Sequence, residues 1–154
     1  MITFLKQQGN SKIQEMLAEY AFLKDLLTDG IRNNVKVLIS RSDFDAFGYD
    51  LLAQIEGTKT VIKLQIKAVN GKASTWDVHR SLLEDEDGNV VVIKVTEQQN
   101  DLSFEYYSIL NNDRNRILAR EPKKSHLKKC KLIKGDLALV SKYELLQKIF
   151  NHSQ

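Results

Sequence analysis

Residues 11–28 place Ile13, Met16, Leu17, Tyr20, Leu23 and Leu27 at helical spacing, which predicts an amphipathic helix with Ser11 as its N-cap and Gly30 just past its end. Beyond it the period changes. Val35–Ser40 is a short apolar run, and Tyr49–Glu56 is a second. Residues 60–69 alternate: Ile62, Leu64, Ile66 and Ala68 project from one face, Gln65 and Lys67 from the other. Gly57-Thr58 lies in the tight connection between these runs, so 49–69 is predicted to be a β-hairpin. Trp76, His79, Leu82 and Leu83 are spaced for a short helix over 75–84. The cluster Glu84-Asp85-Glu86-Asp87-Gly88-Asn89 reads as a solvated turn, and Val90-Val91-Val92-Ile93 then reads as a strand covered on both faces. Leu102–Leu110 alternates as an extra strand, a basic connection broken by Pro122 follows, and residues 141–150 form a terminal amphipathic helix. The element order is α-β-β-β-α-β with a further strand and helix, a mixed α/β domain.

At 154 residues the chain is one domain's worth and long enough to bury a proper core. It has no internal repeat and no low-complexity tract. No run approaches the roughly 20 apolar residues of a membrane span, and the amino terminus lacks a signal peptide's apolar stretch. With a single cysteine, Cys130, an intramolecular disulfide is excluded, and a reducing, cytoplasmic setting is expected. Cys130 reads as an ordinary thiol, because nothing resembles an activated Cys–His pair.

Charge is unevenly spread. The formal net charge is +3. Residues 114–134 hold Arg114, Arg116, Arg120, Lys123, Lys124, Lys128, Lys129, Lys131 and Lys134 against Glu121, a local +8 beside a remainder of −5. Such a block fits a surface that meets a polyanion, so these side chains (Lys134 apart) are candidate nucleic-acid contacts; the alternative is a solvated lysine-rich loop.

Candidate chemistry lies in the hairpin. Asp50 opens one strand, and the next carries Gln65 two residues before Lys67, so an amide oxygen and an amine share a face. The upstream helix carries Glu19 in Leu17-Ala18-Glu19-Tyr20-Ala21, about 90° from the centre of the apolar stripe, whereas Glu15 falls further toward solvent. Helix with Glu, strand, strand with Asp, strand with Gln-x-Lys: over residues 11 to 96 this order resembles the PD-(D/E)XK nuclease superfamily, the restriction-endonuclease-like fold. One position departs from the pattern. Gln65 stands where the acid of acid-x-Lys usually is, as in Gln-x-Lys variants of small bacterial type.

The resemblance implies a restriction-endonuclease-like α-β-β-β-α-β core with a central mixed sheet flanked by helices, and a basic C-terminal extension over 111–154. It implies an endonuclease using Mg²⁺ or Mn²⁺ on nucleic acid, DNA first among candidates. Asp50, Gln65, Lys67 and Glu19 would be catalytic, with Asp50, Glu19 and Gln65 holding the metal. Phosphodiester hydrolysis requires an activated water and neutralisation of charge at pentacovalent phosphorus, which a divalent ion on oxygen ligands supplies. Gln65 removes one negative charge, so metal affinity should fall unless Asp43 or Asp45 compensates. A lone core also lacks a specificity domain, so a homodimer or protein partner is expected for cutting both strands. The second hypothesis is a binding protein on the same fold, an immunity-type or regulatory partner with a lapsed site.

Other signals are excluded. Residues 43–48 lack the remaining ligands of a calcium loop, His79, His126 and His152 form no paired-histidine zinc site, and Trp76 reads as core. No Gly-rich phosphate loop or nucleophile elbow is present.

Overall fold

Helix α1 is longer than its apolar spacing predicts, and it turns a different face inward. In the computed structural model, which describes Phe4, Gln7 and residues 9–41, 48–70, 74–109, 114–120 and 128–150, it runs Ser11–Arg32 with Asn10 as N-cap. Its buried face is Gln14, Ala18, Phe22, Leu26, Asp29 and Gly30. Met16 and Tyr20 of the predicted stripe remain 48% and 54% exposed. The reason is steric. Small residues let the helix approach the sheet: a Cβ on Gly30 would lie 2.9 Å from the Val35 carbonyl oxygen, so Gly30 belongs inside the helix rather than beyond it. Buried Asp29 accepts the Leu146 amide at 2.9 Å and the Arg32 guanidinium at 3.3 Å, which ties α1 to the C-terminal helix.

Six strands form the main sheet: β1 (Val37–Arg41), β2 (Leu51–Ile55), β3 (Val61–Val69), β5 (Gly88–Gln98), β6 (Asp101–Ile109) and β8 (Leu137–Val140), in that spatial order. All neighbours are antiparallel except β3 and β5, which are parallel with Gln65 opposite Val90 and Lys67 opposite Val92. This is a mixed sheet flanked by helices, in an α/β domain. The β2–β3 hairpin forms as its sequence predicts, with Gly57 at φ +89° in the turn.

The crossover from β3 to β5 departs from expectation. Residues 75–84 are a strand, β4 (Thr75–His79), followed by a short helix, α2 (Arg80–Glu84). Strand β4 pairs antiparallel with β7 (Lys129–Ile133) as a separate two-stranded ribbon, and short helix α3 (Arg114–Leu118) packs beneath. Helical spacing of Trp76, His79 and Leu82 misleads because the strand's partner lies some fifty residues on, beyond any local window. The chain closes with α4 (Leu145–Phe150).

Two cores result. Ala18, Phe22 and Leu26 of α1 pack with Leu51, Ala53, Leu64, Val91 and Ile93 on one side of the sheet. On the other, Val90 and Val92 meet Val78, Leu82, Leu83, Ile117, Cys130 and Leu132. Val90–Ile93 is thus covered on both faces, as its apolar run predicts. Burial pushes the Cys130 thiol above its ordinary range, in keeping with an inert side chain. Within the acidic turn, Asp85 is not simply solvated. It accepts Lys63 Nζ at 2.6 Å, a charge-assisted bond that holds its carboxyl below the usual range.

Candidate active site

The site begins where the hairpin opens. Strand β2 starts at Leu51 opposite Leu64, while β3 continues to Val69, so residues 65–69 pair with β5 alone. Asp50 stands at that fork. Its amide donates to the Leu64 carbonyl at 2.7 Å, and its carboxylate Oδ2 accepts the Ile66 amide at 2.7 Å in place of the next backbone acceptor. The carboxylate is therefore fixed at the mouth of a notch in the sheet, with Ile66 and Ala68 directed to the α1 side and Val69 to the other.

A cavity of about 570 Å³ fills the notch, and Glu19, Asp50, Gln65 and Lys67 all line it. Glu19 reaches it from α1, Asp50 from the start of β2, and Gln65 and Lys67 from β3. Gln65 is 8% exposed, and its Oε1 is buried with no hydrogen-bond partner among the described residues. A buried amide oxygen without a donor costs about 1–3 kcal/mol, so this position is poised for a ligand that accepts its lone pairs. Lys67 has no ion-pair partner among the described residues.

Several lining residues carry no motif. Arg41, the last residue of β1, forms an ion pair with Glu19 across the cavity edge and stacks near the Tyr20 ring at 6.0 Å. Glu15, one turn before Glu19, reaches the same space although helical geometry points it toward solvent. Asp77, His79 and Lys129 enter from the β4–β7 ribbon. Only the strand pairing brings these three near Asp50, and nothing local signals it. Asp43, Asp45 and His126 lie outside the described residues, as do Lys123, Lys124 and His152.

Much of the basic segment is engaged inside the fold. Arg114 donates to the carbonyls of Asp85 and Gly88. Arg116 and Arg120 bind the carboxylate of Asp136, which has no solvent exposure and also accepts the Ile133 amide at 2.9 Å. Burial alone would raise the pKa of Asp136, but Arg120, the Ile133 amide and Arg116 outweigh it and hold the carboxyl at about 2. Lys128 and Lys131 are exposed on the ribbon, and Lys129 is half-buried where it lines the cavity.

The candidate ligands in the notch offer oxygen: Asp50, the Gln65 amide and, once separated from Arg41, Glu19. Among the described residues no three His, Cys, Asp or Glu side chains come together as a metal-holding group. An orphaned Gln65 oxygen and a backbone-held carboxylate lining one cavity nevertheless fit a hard divalent ion that keeps most of its own water. No described helix is long and apolar enough to cross a membrane.

No family model matches the chain, and no curated protein matches it. A solved structure of a bacterial homing endonuclease, I-Ssp6803I, superimposes over 87% of this chain and 78% of its own, at 14% identity and a TM-score of 0.38. A superposition that loose carries neither fold nor activity across.

Proposed function

We propose that this chain is a metal-dependent phosphodiester hydrolase, an endonuclease acting on DNA, with Mg²⁺ or Mn²⁺ as its ion. The observation that carries this reading is the cavity that Glu19, Asp50, Gln65 and Lys67 line from three elements, with the Gln65 amide oxygen buried and without a hydrogen-bond partner among the described residues. Asp50 and Gln65 would hold the ion, with Glu19 completing the set. Such an ion lowers the pKa of a bound water and offsets charge at phosphorus. Lys67 orients the attacking water and opposes the added negative charge on the phosphoryl oxygens. Arg41 holds Glu19 by its ion pair and, when Glu19 turns inward, offers its guanidinium to a phosphate. Supercoiled plasmid incubated with the protein and Mg²⁺ or Mn²⁺ should be nicked or linearised, and EDTA should stop it. Plasmid left intact with either ion contradicts the reading.

The neutral Gln65 and the Glu19–Arg41 ion pair favour a second reading, a binding protein on the same fold with a lapsed site. Gln65→Glu separates the two. Restoring the acid should lower the metal concentration for half-maximal cleavage by about tenfold, roughly 1.4 kcal/mol of added attraction. A lapsed site would gain metal binding without cleavage.

A further inference from the structure

The polar face of the β4–β7 ribbon has no part in the hydrolytic step. In its register His79 stands opposite Lys129 and Asp77 opposite Lys131. Alternation puts these four on one face, while Trp76, Val78, Cys130 and Leu132 pack into the second core. Asp77 and Lys131 are opposite in register, with no ion pair between them among the described residues, and His79 and Lys129 are neighbouring donors on a cavity wall that Asp77 also lines. Neither has a side-chain hydrogen bond or ion pair among the described residues.

The ribbon is held rigidly. The Arg80 amide donates to the Lys128 carbonyl at 2.9 Å, the Lys134 amide to Ser74 at 3.0 Å, and Arg120 grips the Lys131 carbonyl at 3.0 Å. Gly48 locks it to the catalytic side. Its φ is +79°, and a Cβ there would lie 2.4 Å from the His79 ring, so the chain entering Asp50 passes flat against the imidazole. The positions of His79 and Asp50 are thereby coupled through a two-residue segment.

We infer that the ribbon is a phosphate clamp, in which His79 and Lys129 together hold the phosphate adjoining the one that is cut. An ammonium beside an imidazole N–H presents two donors to one anionic group, and charge-assisted bonds of this kind are the strong ones. A cavity of about 570 Å³ has room for more than the scissile phosphate, which Lys67 already serves. The ligand, a polynucleotide strand, rests on the reading given under Proposed function; the clamp concerns how that strand is seated.

Binding of a labelled DNA oligonucleotide by the full chain in EDTA, followed by anisotropy between 50 and 200 mM salt (roughly the range over which phosphate contacts are felt), tests this without cleavage. Lys129→Ala should weaken binding about tenfold and reduce the slope of log affinity against log salt by about one, and Lys129→Arg should restore both. His79→Ala should also weaken binding severalfold, with a lowered melting temperature because the ring packs against Gly48. In cleavage assays Lys129→Ala should raise KM and spare kcat. An unchanged affinity and slope in Lys129→Ala, or no rescue by arginine, overturns the clamp, as does a wild type that binds no oligonucleotide. A wild type that binds and shows the clamp's salt dependence but never cuts overturns the nuclease reading and leaves the clamp standing.

Discussion

Asp50→Ala is expected to reduce metal-dependent cleavage by about 10³-fold or more while leaving the protein folded. The Asp50 carboxylate accepts the Ile66 amide at 2.7 Å, and its own amide donates to the Leu64 carbonyl at 2.7 Å, so the backbone fixes its position. On the proposed reading, removing it would take away both the charge that holds a cation and the anchor that aims it. An exposed hydrogen bond such as that from the Ile66 amide contributes about 1 kcal/mol, a few degrees of melting temperature. Asp50→Asn sharpens the point. It keeps the shape and an oxygen for the Ile66 amide but lacks the charge, so cleavage should remain lost and the melting temperature should return to that of the wild type. Single-turnover rates and thermal unfolding of the three proteins check both halves.

The largest stability effect is expected at Asp136. Asp136→Ala should cost roughly 3–5 kcal/mol in denaturant unfolding, because it strands Arg120, which is 26% exposed, together with the Ile133 amide. The same carboxylate gives the fold an acid limit. Its folded pKa is about 2 against an ordinary 3.8, so the folded state binds the proton less readily than the unfolded one. That stabilisation, about 2 kcal/mol, is fully present above pH ~4 and is lost as pH falls through the folded value near 2. Asp136→Asn should flatten the stability profile between these limits. A profile as steep as that of the wild type contradicts this assignment.

Local signals in the sequence were strong where local physics decides. The Gly57 turn, the alternation of residues 60–69 and the apolar Val90–Ile93 run predict the hairpin and the buried central strand, because side-chain period and turn geometry are short-range properties. Asp50, Gln65, Lys67 and Glu19 are singled out by the resemblance that their order and spacing suggest, and the fold brings all four to the lining of one cavity. The face of α1 is not. Counting large apolar side chains selects Met16 and Tyr20, whereas close approach to the sheet selects Ala18, Phe22 and Gly30. Strand β7 is masked by its lysines: in Lys129-Cys130-Lys131-Leu132 only every second residue faces the core. With β7 unseen, β4 has no partner and reads as helix, and His79 and Asp77 stay out of view. Arg41 is simply the last residue of an edge strand. Its role depends on Glu19 lying across from it, a contact between elements that no pattern encodes.

Whether the notch around Asp50 hydrolyses DNA with a divalent ion is decided by single-turnover cleavage of a labelled duplex by wild type, Asp50→Asn and Lys67→Ala across a Mg²⁺ and Mn²⁺ titration. Cutting by the wild type should rise with metal and vanish in EDTA, Asp50→Asn should not cut at any concentration, and Lys67→Ala should cut more slowly with an unchanged metal requirement. A wild type that leaves the duplex intact, or variants that cut as fast as the wild type, would contradict hydrolysis at this notch.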